Sequence, residues 1–177
     1  MCAIEIEPVI ATARLRLRQP RKADAARIAE LANDLDVARM TTRMPHPYSV
    51  ADAEAWLDEW AAPDHGRQAS FAIEHSMHGL MGIVGLFPSE EGRCELGYWL
   101  GRSYWGRGFA TEAANSAVIW ASEAWGKRAV FAGHFSDNPA SGQVLCKTGF
   151  LYTGEVKQTH SVARGEDTPC RTMVWLA

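Results

Sequence analysis

Residues 104–113 read YWGRGFATEA. They set two glycines and an arginine directly ahead of an alanine-rich stretch. Glycine permits positive φ and lets another group approach the backbone closely. A helix N-terminus offers unpaired N–H groups and a partial positive charge. Gly106 and Gly108 would therefore let the amides turn inward as a nest for an anion, with the charge of Arg107 beside them. A phosphate or pyrophosphate is the natural guest of such a nest. A plain strand-to-helix turn, with a glycine present only for packing, accounts for the same residues. Two common phosphate motifs fit poorly. A Walker loop needs G-K-[ST] after its second glycine, and here Phe109 and Ala110 follow Gly108. A dinucleotide fingerprint needs G-x-G-x-x-G, and GRGFAT ends in Thr111 and lies late in the chain.

The elements that must position this loop follow from periodicity. ARLRLRQP (13–20) alternates apolar and basic residues and predicts a strand ended by Pro20. Helical spacing predicts a helix over 22–34. A second helix runs from Ser49, paired with Asp52 as a cap, to about residue 62. QASFAIEH (68–75) and LMGIVGLFP (80–88) predict a hairpin, and CELGYWLG (94–101) predicts a third strand of that sheet. A helix over 108–125 presents Ala110, Ala113, Ala114, Ala117, Val118 and Ala121 as a small-residue face, with Gly126 as its stop. A strand over 129–135, a helix over 138–149 ended by Gly149, and strands at FLYTGEVKQ and CRTMVWLA complete the chain, the last two separated by the polar loop SVARGEDTP. The strand at 94–101, the helix after it and the strand at 129–135 form a β-α-β crossover, so those two strands should be parallel. The expected product is a mixed sheet with helices on its faces.

Composition narrows the class. The chain has 177 residues, 47% hydrophobic and 22% charged, which predicts one globular domain spanning 1–177. A formal net charge of −3 gives no broad attraction to nucleic acid or to an anionic membrane. No apolar run approaches the roughly 18 residues a membrane span needs. The start, MCAIEIEPVI, lacks the basic region of a signal peptide. Cys2, Cys94, Cys146 and Cys170 are widely spaced and read as reduced thiols of a cytoplasmic protein, with Cys94 and Cys146 expected in the interior. No Cys/His cluster suggests a metal. Trp56, Trp60, Trp120 and Trp125 lie at helical spacings and read as core.

Four stretches together resemble one family. They are YWGRGFATEA, TARLRLRQPRKAD near the start, PYSVADAEAWL before the second helix, and DNPASGQVLCKTGF near the end. Over residues 12–176 the chain resembles the GNAT N-acetyltransferases, in particular the branch similar to the ribosomal-protein N-terminal acetyltransferases (RimL/RimJ-like). The family signature Q/R-x-x-G-x-G/A falls on Trp105 to Ala110, with Trp105 in place of the usual Gln or Arg. The resemblance implies an α/β (α+β) GNAT fold. Its mixed, mostly antiparallel sheet has about seven strands with a splayed parallel central pair, flanked by about four helices. It implies acetyl-CoA as co-substrate and an amine acceptor, either a protein N-terminus or a small molecule, acted on by a monomer or homodimer. Trp105, Gly106, Arg107, Gly108, Phe109, Ala110 and Thr111 would hold the pyrophosphate of CoA. Trp99, Leu100 and Gly101 would line the pantetheine.

Acetyl transfer to an amine needs a neutral amine, a stabilised oxyanion and a proton for the departing thiolate. Two base candidates stay open. Glu95 stands on the 94–101 strand and shares a face with Gly97, Trp99 and Gly101 if alternation holds. His134 stands on the opposing parallel strand, and imidazole titrates in the useful range. Each is also an ordinary residue of its type: a solvated strand carboxylate, a hydrogen-bonded structural histidine. Asn138, Pro139 and Ser141 fit a helix start on their own. The resemblance adds that Asn138 contacts CoA and that Ser141 protonates the thiolate. Many relatives place a Tyr four residues before the final Gly-Phe pair, where this chain has Leu145. That departure shifts weight to Ser141, or to release of the thiolate without a dedicated acid, and it is the one feature that favours an acyl-CoA-binding module without turnover. Cys146 reads as helix packing. His46 and Tyr48 are the candidates for the acceptor mouth.

Overall fold

The computed structural model describes residues 9–60, 68–89 and 91–177. Its strands form one eight-stranded sheet in the order β1-β2-β3-β4-β5-β6-β8-β7. They are β1 (Ile10–Ala11), β2 (Leu15–Arg18), β3 (Ala69–His75), β4 (Gly79–Pro88), β5 (Cys94–Leu100), β6 (Ala129–Phe135), β7 (Leu151–Ser161) and β8 (Glu166–Leu176). Neighbours are antiparallel throughout except β5 and β6, which run parallel. The α-helices are α1 (Ala25–Ala32), α2 (Leu35–Ala38), α3 (Val50–Trp60), α4 (Phe109–Trp125) and α5 (Pro139–Lys147). The mixed, mostly antiparallel sheet with a parallel pair is the architecture the sequence predicts.

Local chemistry explains the helix ends. The Ser49 hydroxyl donates to Asp52 Oδ2 at 2.6 Å and accepts from the Asp52 amide at 3.2 Å, while Asp52 Oδ2 accepts from the Ser49 amide at 2.8 Å. This closes the expected cap of α3, an arrangement worth about 1 kcal/mol. Gly126 ends α4 in the left-handed region. Asn138 caps α5, its side chain accepting from the Ser141 amide at 3.2 Å. The predicted alanine face of α4 is buried at Ala113, Ala114, Ala117, Val118 and Ala121. Small side chains let this helix lie close against β4 and β5, and Phe71, Ile73, Val84 and Leu86 fill the remaining space. Each such large side chain contributes about 1.5–3 kcal/mol by burial.

Several boundaries differ from the sequence expectation. The first helix is a 3-10 turn (Lys22–Asp24) leading into the shorter α1. Asp24 accepts twice from Arg18, at 2.8 and 2.9 Å, and this fixes the turn. The short β1 and α2 are additions that periodicity over so few residues does not reveal. The loop expected at 161–169 is largely strand, and β7 and β8 form a long hairpin with its turn at Val162–Gly165. Cys94 is half-buried and Cys146 is exposed on α5, so packing is not the role of Cys146. Trp56, Trp120 and Trp125 pack against the core, whereas Trp60 lies outside it. The residues predicted to finish the second helix (61 and 62), the N-terminal start and Cys2 lie outside the described residues.

Candidate active site

The parallel pair β5/β6 is registered at a single position, Glu95 opposite Phe131. Beyond it, β5 from Leu96 to Leu100 has no partner on β6, whereas its other edge stays paired with β4 to the end. The Gly101 amide donates to Met81 on the β4 side at 2.9 Å. Antiparallel alternation then turns the amides of Tyr98 and Leu100 towards the gap. The strands part as their C-terminal ends are approached, and they leave an open edge of unpaired backbone groups.

At the end of β5 lies the glycine loop. Gly106 (φ +73°) and Gly108 (φ +78°) occupy the left-handed region, as the anion-nest reading requires. Among the described residues, the amides of Gly106, Arg107, Gly108, Phe109, Ala110 and Thr111 donate to no protein acceptor; the next amide, that of Glu112, bonds the Gly108 carbonyl. A run of unpaired N–H groups at the start of a 17-residue helix is an anion cradle. Trp105, the departure from the signature, has a visible job: its indole N–H donates to the Leu100 carbonyl at 2.8 Å and ties the loop to the strand. The Arg107 side chain is exposed.

A clasp that the sequence does not reveal holds this loop. Arg14 donates from Nε to Glu112 Oε2 at 2.7 Å and from Nη1 to the Arg107 carbonyl at 3.0 Å. Thr12 and the Arg14 amide both donate to Glu112 Oε1, at 2.6 and 2.8 Å. The Arg14 guanidinium also covers the Phe109 ring, 4.5 Å from its centroid. Burial pushes the Glu112 carboxyl up, but the Thr12 and Arg14 bonds outweigh it and hold the group below its usual range. The available signal was an acidic residue in the first turn of a helix beside a basic N-terminal strand.

The sheet separates the remaining candidates. Register partners in a parallel pair share a face, so Glu95 and Phe131 point one way while Tyr98 and His134 point the other. On the α5 face, the Tyr98 hydroxyl donates to the Ser141 carbonyl at 3.2 Å and lies 2.8 Å from the Ser141 hydroxyl. Burial pushes the Tyr98 phenol up to about 12, so it keeps its proton at neutral pH. Nothing in the sequence beyond its place on the strand marked Tyr98. His134 is buried with both ring nitrogens engaged: Nδ1 donates to the Phe135 carbonyl at 2.9 Å, and Nε2 sits 3.0 Å from the Tyr152 hydroxyl. His134, Gly142, Cys146 and Tyr152 line a cavity of about 360 Å³ whose lining includes no residue of β5.

On the opposite face, Glu95 is half-buried, and no side chain among the described residues donates to it. Burial raises its carboxyl above the usual range. Lys157, Arg43 and Arg93 pull it back in part, and Glu91 adds to the rise. Phe87, opposite Glu95 on β4, lies over Gly97, where a Cβ would come within 2.8 Å of its ring. Gly101 likewise admits Leu31 of α1. Trp99 is half-buried on this face. Of the two expected acceptor residues, His46 is exposed, while Tyr48 is buried with its amide bonded to Asn33 Oδ1 at 2.9 Å and its phenol raised to about 12 by burial. The described residues contain no group of His, Cys, Asp and Glu that could hold a metal ion.

An open strand edge leading to an amide cradle defines an α/β protein built to hold an extended, phosphate-bearing ligand. The acetyltransferase (GNAT) domain family matches residues 14–151, and the chain belongs to that family. It is 30% identical over 155 residues to the uncharacterized N-acetyltransferase YoaA of Bacillus subtilis (strain 168), covering 85% of this chain and 87% of that one. Among solved structures, it superposes on RimL, a ribosomal L7/L12 α-N-protein acetyltransferase in complex with coenzyme A. That match has a TM-score of 0.82 at 15% identity, over 96% of this chain and 98% of the other. It also superposes on spermidine N-acetyltransferase from Vibrio cholerae in complex with CoA and spermine, with a TM-score of 0.76 at 20% identity over 93% and 96% of the two chains. These structures share the fold. Their acceptors, a protein and polyamines, differ.

Proposed function

We propose that the protein transfers the acetyl group of acetyl-CoA directly to a primary amine, with the α-amine of a peptide or protein as the acceptor its chemistry suits best. The observation that carries this reading is the run of unpaired amides from Gly106 to Thr111 at the end of the open β5 edge. It fits the pyrophosphate of CoA, and the edge beside Tyr98 and Leu100 fits the amides of pantetheine.

The two faces divide the chemistry. The amine approaches on the Glu95 face, and Glu95 takes its proton, directly or through a water. Glu95 suits the role better than His134, whose nitrogens are already engaged on the other face. Amides of the open edge can donate to the thioester oxygen as charge develops there. The C–N bond forms and the C–S bond breaks. The thiolate takes a proton through the Ser141 hydroxyl, which is resupplied in the same step from the Tyr98 phenol 2.8 Å away, and the phenol regains its proton from solvent. An α-amine has a pKa of about 7.7–8.0 and is partly neutral at physiological pH, so one carboxylate suffices, whereas a lysine at about 10.4 asks for more. Glu95 and the Tyr98–Ser141 pair oppose the alternative of a binding module without turnover, for which Leu145 is the one supporting feature. The three described cysteines are free thiols, which supports a reducing, cytoplasmic setting.

The test is acetylation of a mixed peptide and amine library by the pure protein, read by mass shift. Peptides with free α-amines should gain one acetyl group each. Modification of polyamines or aminoglycosides alone would move the acceptor to the small-molecule class.

A further inference from the structure

Arg43 stands on the Glu95 face in an unusual setting. Its guanidinium lies 5.2 Å from the Trp60 ring centroid and 5.1 Å from that of Phe87, and the two rings meet edge to face at 6.2 Å. Gly97 makes this possible, because any side chain there would displace Phe87. The loop that carries Arg43 is pinned from below. The Val162 amide donates to the Thr42 carbonyl at 3.0 Å, the Ser161 hydroxyl to the Thr41 carbonyl at 3.0 Å, and Arg164 to the Arg39 carbonyl at 2.7 Å. Arg43 is exposed and close enough to Glu95 for its charge to act on that carboxyl.

The other charges felt at Glu95 are already committed. Lys157 pairs with Glu91 at 2.7 Å and Glu155 at 3.8 Å, and Arg93 pairs with Glu91 at 2.8 Å. Among the described residues Arg43 has no carboxylate partner. Stacking on rings occupies the faces of a guanidinium and leaves its N–H edge free, the edge that matches carboxylate and phosphate oxygens in pairs. A polycation entering here would meet Arg43, whose charge no carboxylate among the described residues offsets, whereas Arg93 and Lys157 are neutralised by Glu91 and Glu155.

Resting on the acetyltransferase reading, we infer that Arg43 selects acceptors that carry an anionic group, a carboxylate or a phosphate, besides the amine. Arg43 binds the anion from its platform of Trp60 and Phe87 while the amine reaches Glu95. It is a specificity residue of the acceptor side and takes no part in holding acetyl-CoA, whose cradle lies at the start of α4.

Steady-state kinetics on matched acceptors test this. The pairs are short peptides with a C-terminal carboxylate against their C-terminal amides, and phosphoethanolamine against ethanolamine, with spermine as the polycation. The anionic member of at least one pair should have a kcat/KM higher by about 10-fold or more, the scale of one charge-assisted hydrogen bond. The pair that shows it identifies carboxylate or phosphate as the group recognised. Arg43→Gln should abolish the preference through KM, with acetyl-CoA affinity unchanged. Arg43→Glu should turn the preference towards spermine, and Arg43→Lys should retain part of it, which separates charge recognition from damage to the loop. Preference for neutral or polycationic acceptors in the wild type, or an intact preference in Arg43→Gln, would overturn the inference while leaving acetyl transfer standing. No turnover with any acceptor would refute both.

Discussion

The phenol of Tyr98 on β5 meets the hydroxyl of Ser141 on α5 at 2.8 Å and bridges the strand and the helix where the parallel pair has parted. The bond couples the first turn of α5 to the open strand edge. If the pair protonates the departing thiolate, Ser141→Ala should lower kcat by about 10²-fold, the lower end of general acid contributions, with little change in KM for acetyl-CoA. Tyr98→Phe should lower kcat less and cost about 1 kcal/mol of stability. The double variant should be no slower than Ser141→Ala, since the two act as one unit. Stopped-flow measurement of single turnovers checks this. Wild-type kcat in Ser141→Ala would leave the residue with only its place in the Asn138 cap.

Gly108 is the position where the cradle is most exposed to a single change. Its φ of +78° is a conformation L-residues rarely adopt, and forcing one there costs about 1–3 kcal/mol. Gly108→Ala should therefore lose stability and some CoA affinity. Gly108→Asp adds a carboxylate where the pyrophosphate is expected, and should weaken CoA binding about 10-fold beyond the alanine variant. Titration calorimetry with CoA separates the two. Equal affinities in the wild type and Gly108→Asp, with the fold intact, would remove the anion from this loop.

Glu95 ties activity to pH. Burial raises its carboxyl above the usual range, only partly offset by Lys157, Arg43 and Arg93. A folded pKa above the unfolded one stabilises the fold below the unfolded value, and that contribution is lost as pH rises through the folded value. At neutral pH the ionised Glu95, the form the proposed base requires, therefore destabilises the protein slightly. Glu95→Gln should raise Tm at neutral pH but not at pH 4, and should lower kcat by about 10²–10⁴-fold. A pH–rate profile in which Glu95→Gln keeps wild-type kcat would assign the base elsewhere.

Most of the frame was legible because it rests on local signals. The alanine face of α4, the Ser49–Asp52 cap and the alternation of β3 to β5 each declare themselves within a few residues. The glycine loop was legible too, since Gly106 and Gly108 carry their reason in their backbone angles. What stayed hidden depends on residues far apart in the chain. Arg14 and Glu112 are 98 positions apart, Tyr98 and Ser141 are 43 apart, and Arg43 reaches Phe87 on another element. Periodicity cannot join such pairs. It also cannot show that both nitrogens of His134 are spent within the fold, or that Tyr48 is core.

The Arg14–Glu112 clasp predicts acid sensitivity confined to the cradle. Glu112 is held below the usual carboxylate range, so its contribution is fully present above the unfolded value and is lost as pH falls through the folded value. Glu112→Gln should weaken CoA binding at pH 7 and flatten the loss of affinity that the wild type shows as pH falls below the usual carboxylate range. Calorimetric titrations across that range report it. Parallel losses in both proteins would detach the clasp from CoA binding.

The most direct test of the account joins cradle and chemistry in one vessel. The pure protein is incubated with acetyl-CoA and a mixed library of peptides and small amines, while free thiol and acceptor mass are followed together. One CoA thiol should be released per acetyl group gained by an amine, about 10²-fold or more slowly in Glu95→Gln and more slowly in Gly108→Asp. Tight CoA binding with no acetylated amine anywhere in the library would contradict it and leave a protein that holds acetyl-CoA without using it.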